Sequence, residues 1–197
     1  MENSNLKTKF SVKQMTIVGM LSAISIFLGL TGLGFIPLPG MKATIMHVPV
    51  IIGAIVEGPI VGSLVGLVFG LFSMYQAFTA PSPTAFVFWN PIIAVLPRIL
   101  IGIVSYYVYK GVKFSIKKKS IAIACAALCG TLTNTAGVLG FSYLIYAAKY
   151  AVALGLTAAQ GGYAIFMIGV TNGIPEAIVS VIISVPVVLT ILKMRNR

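Results

Sequence analysis

Apolar residues occur along this chain in long runs that short polar or Pro-Gly segments separate. A helix needs about 20 apolar residues to cross the hydrocarbon core of a bilayer, and most of these runs approach that length. Between two shorter runs, Glu57-Gly58-Pro59 predicts a tight turn, because proline suits the first turn of a new helix. We therefore predict six membrane-spanning helices, over about residues 12–34, 45–57, 59–76, 90–110, 120–147 and 163–193.

The composition is typical of an integral membrane protein. Hydrophobic residues make up 58% of the 197 residues and charged residues 9%, whereas about 25% of the residues in soluble domains are charged. The predicted fold is an all-α integral membrane protein in which residues 1–197 form a single compact six-helix domain. The net charge of +11 indicates membrane topology and not nucleic-acid binding, because the basic residues cluster at the ends of the predicted helices.

Basic residues mark one face of the predicted bundle. They lie before the first helix, between the fourth and fifth helices and after the sixth: Lys7, Lys9 and Lys13; Lys110, Lys113 and Lys117 to Lys119; Lys193, Arg195 and Arg197. With six helices, all three groups fall on one face, which the positive-inside rule assigns to the cytoplasm. Both termini are therefore predicted to be cytoplasmic. The loops of the opposite face contain Lys42 and Lys149 as their basic residues.

Four polar residues fall in the predicted membrane interior. At 1.5 Å per residue, Arg98 lies about 12 Å and Asn172 about 13 Å below the outer ends of their helices, with Glu176 one turn deeper. Asn134 lies about 21 Å from the inner end of its helix, in the outer half. A charge in hydrocarbon costs at least a few kcal/mol, so we expect these side chains to share a cavity.

Two interpretations of this set stay open from the sequence. Arg98 and Glu176 could neutralise each other as a structural ion pair, with the asparagines bridging helices. Alternatively, Arg98 binds a ligand carboxylate through two parallel hydrogen bonds, while Asn134 and Asn172 bind hydroxyl and amide groups.

Further candidates for ligand binding lie at the outer membrane interface: Tyr75, Gln76, Trp89 and Asn90 around the loop near residues 77–89, and His47 at the start of the second helix. Aromatic residues also anchor helices at this depth without any ligand, so a plain interfacial location fits equally well.

Several enzyme classes lack their motifs here. The chain contains neither a G-x-x-x-x-G-K-[ST] loop nor an H-E-x-x-H pair, and it contains no Asp for a Ser-His-Asp triad. One His and two Cys make a poor metal site, so we predict no metal and no cofactor. An enzyme is disfavoured, although a membrane-embedded enzyme that uses Glu176 as a general acid or base is an alternative.

Small residues form two ridges along the predicted helices. Gly58, Gly62, Gly66 and Gly70 recur every fourth residue of the third helix, a spacing that favours close packing inside the bundle. In the first helix, Gly19 and Ala23 form a shorter small-xxx-small pair that could pack internally or receive a partner protein.

Four segments of the chain, taken in their order and spacing, carry a resemblance to a known family: Gly19-Met20-Leu21-Ser22-Ala23, Val48 to Gly58, Leu96-Pro97-Arg98-Ile99-Leu100-Ile101-Gly102 and Thr171-Asn172-Gly173-Ile174-Pro175-Glu176-Ala177. With these segments the chain resembles the substrate-binding S-components of energy-coupling factor (ECF) vitamin transporters. The resemblance implies a high-affinity vitamin binder in the bacterial cell membrane that docks onto an energizing module, a transmembrane coupling protein with two ATPases, and topples to release its vitamin inside. It also implies that Gly19 and Ala23 are the docking motif, with Gly in place of the first of the usual alanines.

The segment Ala43-Thr44-Ile45-Met46-His47-Val48-Pro49 looks most like the pantothenate branch of that family. Pantothenate carries a carboxylate, an amide and hydroxyl groups, which Arg98, Asn134 and Asn172 could bind. Riboflavin, folate, pyridoxine and hydroxymethylpyrimidine are the alternative substrates. A carrier that works without ATPases and a purely structural bundle are the remaining alternatives.

Overall fold

The computed structural model describes residues 11–38, 41–80, 84–153, 155 and 158–195. Lys7, Lys9 and Arg197, which contributed to the orientation prediction, lie outside this part. The described part is mainly helical: α1 Val12–Thr31, α2 Val48–Glu57, α3 Pro59–Thr79, a 3₁₀ helix Ala85–Trp89, α4 Pro91–Ala94, α5 Leu96–Ile116, α6 Lys119–Ala153 and α7 Ala158–Arg195. The predicted helical fold is observed with one addition. A short antiparallel ribbon, β1 Phe35–Leu38 and β2 Met41–Thr44, connects α1 to α2.

Five helical segments of the described chain are long and apolar enough to cross a membrane: Val12–Thr31, Pro59–Thr79, Pro91–Ile116, Lys119–Lys149 and Gly169–Arg195. The remaining predicted span, over residues 45–57, corresponds to α2, which has ten residues. At 1.5 Å per residue, α2 is about 15 Å long, half the thickness of the hydrocarbon core. Its residues Val48 to Ile55 are all buried, so α2 lies inside the bundle.

The turn between α2 and α3 forms where the sequence predicts it. Gly58 adopts φ 105°, a conformation that favours glycine, and Pro59 is the first residue of α3. Beside this turn, the buried Glu57 Oε1 pairs with Lys13 Nζ at 3.2 Å and with Arg195 Nη1 at 3.4 Å. Glu57 therefore ties α1 and the end of α7 to the α2–α3 turn.

The glycine ridge of α3 serves packing inside the bundle. Gly66 lies against the backbone carbonyl of Arg98, and a Cβ added at Gly70 would come within 2.7 Å of the Ala94 carbonyl oxygen. Gly62 in turn packs on Gly102 of α5. These contacts leave no room for side chains, so the backbones of α3 and α5 approach closely and fix the position at which α5 begins.

Candidate substrate-binding cavity

A cavity of about 400 Å³ lies between the ribbon, the 3₁₀ helix and helices α5, α6 and α7. Sites for small molecules commonly enclose about 300–1,000 Å³. All four polar residues that the sequence placed at membrane depth line it: Arg98, Asn134, Asn172 and Glu176. The other lining residues are Phe35, Thr44, Thr84, Val87, Phe88, Thr135, Val138, Leu139 and Ser142.

Arg98 is held rigidly at the start of α5. Its guanidinium lies against the rings of Phe69 and Phe88, with Cζ 5.3 Å and 5.1 Å from their centroids, and Nη1 donates to the carbonyl oxygen of Ile93 at 2.7 Å. Stacking and this bond fix the plane of the guanidinium. Nε is buried without an acceptor in the described structure. With Nη1 engaged, the Nε–Nη2 edge is left for a ligand, and such an edge suits a carboxylate.

Glu176 joins three parts of the cavity wall. Its Oε1 accepts a hydrogen bond from the backbone N–H of Thr44 in β2 at 2.7 Å, and its Oε2 accepts a longer one from Thr135 Oγ1 of α6 at 3.4 Å. Glu176 and Arg98 are both described, and no ion pair within 4.0 Å connects them. The geometry therefore differs from the structural ion pair considered above, and both charged groups face the cavity separately.

The two asparagines bring unpaired amide groups to the same cavity. Asn134 Oδ1 and Asn172 Oδ1 are buried and have no hydrogen-bond partner in the described structure. Buried polar atoms of proteins are normally paired, and an asparagine amide can present either an oxygen acceptor or a nitrogen donor. The cavity thus combines one guanidinium edge, one carboxylate and two amides, a set that fits a small ligand with a carboxylate and further polar groups.

Five candidates from the sequence do not line this cavity. Tyr75 is 58% exposed on α3, and Gln76 Nε2 donates to the Gly29 carbonyl oxygen at 3.1 Å, which ties α3 to α1. His47 is fully buried with Nε2 2.9 Å from Thr131 Oγ1. None of these three side chains lines this cavity, and a role for them in ligand binding stays a prediction. Counting along a helix gives depth in the membrane but not the direction of a side chain around the helix.

Trp89 and Asn90 line a second pocket of about 330 Å³, together with Phe86, Pro91, Tyr146 and Lys149. The 3₁₀ helix separates the two spaces, because its Val87 and Phe88 line the cavity and its Phe86 and Trp89 line the second pocket.

Some residues in or beside the cavity escaped the sequence analysis. Thr44 contributes its backbone, which no side-chain pattern reveals, and Phe69 lies on a helix whose apolar residues gave no sign of which one faces Arg98. Thr135 could have been found, since it directly follows Asn134.

An apolar helical bundle with a polar cavity between its helices defines a membrane protein that binds a small polar ligand. Comparison with protein families specifies the class. Residues 13–188 match the family "ECF transporter, substrate-specific component", and the chain belongs to that family. Membership confirms the predicted family and identifies a transport component and not an enzyme. It also implies a vitamin substrate and an ECF energizing module.

Two relatives are named for one vitamin. The chain is 35% identical over 174 residues to the pantothenic acid transporter PanT of Lactococcus lactis subsp. cremoris (strain MG1363). The aligned residues cover 81% of this chain and 82% of that protein. It is also 35% identical over 106 residues to the pantothenate transporter PanT of Leuconostoc mesenteroides subsp. mesenteroides, which covers 51% of this chain and 50% of that one.

Proposed function

We propose that this chain is the pantothenate-binding subunit of an ATP-driven vitamin importer in a bacterial cell membrane. The observation that carries the proposal is a cavity whose Arg98 Nε, Asn134 Oδ1 and Asn172 Oδ1 are buried without a hydrogen-bond partner among the described residues. The names of the two relatives support the choice of vitamin.

Each polar group of pantothenate has a complementary group in the cavity. The guanidinium edge of Arg98 binds the carboxylate, which is the strongest polar contact available to this ligand. Glu176, a carboxylate that already accepts from Thr44 and Thr135, accepts further hydrogen bonds from ligand hydroxyl groups. Asn134 and Asn172 serve the ligand amide, since each offers a donor and an acceptor.

The distribution of charge supports a membrane orientation with six spans, of which α2 is the short one. Lys13, Glu57 and Arg195 meet at one end of the bundle, and Lys110 to Lys119 surround the connection between α5 and α6. The positive-inside rule assigns these basic residues to the cytoplasm, which makes both termini cytoplasmic and the cavity outward-facing.

The exposed face of α1 is the docking surface for the coupling protein of the energizing module, which carries two ATPases. Gly19 and Ala23 are exposed, and a Cβ at Gly19 would meet no atom within 4 Å. Large apolar side chains flank them, with Met20 62% and Phe27 58% exposed. Small residues at such a face allow a partner helix to approach closely.

A thermal-shift screen of the purified chain in detergent tests the proposal, with pantothenate, riboflavin, folate, pyridoxine and hydroxymethylpyrimidine as ligands. A ligand that binds the folded state alone stabilises it by about 2.7 kcal/mol at one hundred times its dissociation constant. We expect pantothenate to raise the melting temperature and the others to leave it unchanged. A shift with a different vitamin and none with pantothenate would replace the substrate and keep the class.

A further inference from the structure

The second pocket contains a basic side chain at the end of the bundle where the described structure has few. Lys149, on α6 just beyond the non-helical residue Tyr146, lines it. Among the basic side chains that the structure describes, Lys149 and the buried Arg98 lie at the cavity end of the bundle. The others lie at the opposite end: Lys13, Lys110, Lys113, Lys117, Lys118, Lys119, Lys193 and Arg195. Among the described side chains, Lys149 is thus the exposed basic group at the cavity end of the bundle.

Two polar groups of this pocket are donors that no described carboxylate pairs with. Lys149 Nζ lies 5.7 Å from the centroid of the Phe86 ring, and the ion pairs of the described residues involve Glu57 at the other end. Asn90 Oδ1 accepts from the backbone N–H of Ile92 at 3.0 Å, which leaves the amide nitrogen of Asn90 to donate. An ammonium group and an amide N–H group therefore share one aromatic-walled pocket, which favours an anionic guest.

The second pocket and the cavity lie on the two sides of one short helix. The 3₁₀ helix Ala85–Trp89 forms this wall, and Phe88, which stacks on Arg98, directly precedes Trp89 of the pocket. The 3₁₀ helix is therefore the element that separates a carboxylate bound at Lys149 from the Arg98 guanidinium in the cavity.

We propose that the second pocket is a transient binding site for the carboxylate of the incoming ligand, and that Lys149 raises the rate of capture before the ligand reaches Arg98. The inference rests on the proposed function, since it requires a ligand with a carboxylate. Rim charges act mainly on the association rate and its salt dependence, whereas desolvated contacts govern dissociation. Lys149 therefore affects how fast the ligand arrives and has little effect on how long it stays.

The chain carries its own reporter for this step. Trp89 is the single tryptophan of the sequence and lines the pocket, where its ring stacks on Phe78 at 5.6 Å. Stopped-flow mixing of the full chain in detergent with pantothenate, followed by Trp89 fluorescence, gives both rate constants. The variants are Lys149→Gln, Lys149→Arg and Lys118→Gln, the last an exposed lysine at the opposite end that removes the same charge.

At about 20 mM salt, Lys149→Gln should lower the association rate constant about three- to tenfold, and the difference should vanish above about 500 mM salt. Lys149→Arg and Lys118→Gln should behave like the unchanged chain, and the dissociation rate should stay the same in all variants. Equal association rates for Lys149→Gln and Lys118→Gln would overturn the proposal.

A second measurement separates this inference from the proposed function. In an Arg98→Ala chain that calorimetry shows no longer binds tightly in the cavity, millimolar pantothenate should still change Trp89 fluorescence saturably, and the added Lys149→Gln change should remove that response. Absence of the response would overturn the transient site while leaving the cavity assignment intact. Undiminished tight binding by Arg98→Ala would instead overturn the cavity assignment.

Discussion

Arg98 provides the sharpest test of how this cavity binds its ligand. Two hydrogen bonds between the Nε–Nη2 edge and a carboxylate are charge-assisted, and such bonds contribute about 1.5–3 kcal/mol each. Allowing for the water that takes their place, Arg98→Ala should weaken pantothenate binding by about 3 kcal/mol, which is more than 100-fold in Kd. Arg98→Lys keeps the charge but loses the two-pronged geometry, so we expect an intermediate loss of about tenfold.

Folding must be measured alongside binding, because Arg98 also contributes to the structure. Removal of its side chain breaks the bond from Nη1 to the Ile93 carbonyl oxygen and the stacking on Phe69 and Phe88. Each cation–π contact contributes about 0.5–2 kcal/mol to stability, so a lower melting temperature is expected without the ligand. Titration calorimetry is therefore carried out on variants that unfold cooperatively, so that a weaker affinity reports a change in binding and not a loss of folded protein.

The double variant Arg98→Ala with Glu176→Ala separates the two roles considered for these charges. In a structural ion pair, removing the second charge would restore part of the stability that the first substitution lost. Since the two side chains form no ion pair within 4.0 Å, we expect no such recovery. Recovered stability in the double variant, or unchanged pantothenate affinity in Arg98→Ala, would refute the reasoning.

Three further predictions concern other parts of the bundle. Glu176→Gln should weaken pantothenate binding about tenfold in calorimetry, because hydrogen bonds to a charged acceptor are stronger than those to a neutral one. Thr135→Val should have little effect on binding, since its hydrogen bond to Glu176 is long at 3.4 Å. Equal losses of affinity in the two variants would contradict this ranking. Gly66→Ala should lower stability by about 1–3 kcal/mol in thermal unfolding because its Cβ meets the Arg98 carbonyl, while Gly140→Ala, with open space around it, should not. Gly19→Leu should leave pantothenate binding intact and stop ATP-driven uptake in cells. Gly111→Leu, at another position with open space around it, is the control. Normal uptake by Gly19→Leu would exclude α1 as the docking surface.

The sequence predicted the cavity better than its surroundings, for a physical reason. Arg98, Asn134, Asn172 and Glu176 were found because a polar residue in hydrocarbon is costly wherever it points, so each must face the protein interior. Residues at the membrane interface carry no such penalty. Gln76 therefore looked like a ligand contact, although it bonds to the Gly29 carbonyl of a neighbouring helix.

Long-range backbone pairing could not be predicted from the sequence either. The segment between α1 and α2 contains two prolines and three glycines, which indicated a loop and concealed the ribbon whose Thr44 N–H donates to Glu176. Its contact with Glu176 joins residues 132 positions apart. Helix periodicity describes local neighbours along one element and contains no information on such a contact.

The dimensions of α2 have a consequence for how the chain enters the membrane. A helix of ten residues cannot bridge the bilayer alone, and its residues Val48 to Ile55 find protein on all sides in the finished bundle. During insertion α2 therefore depends on α3, to which the Gly58 turn joins it directly. The two helices have to insert into the lipid together as one hairpin. The contacts of α2 with α5, α6 and α7 form afterwards, when these later helices have been synthesised and inserted.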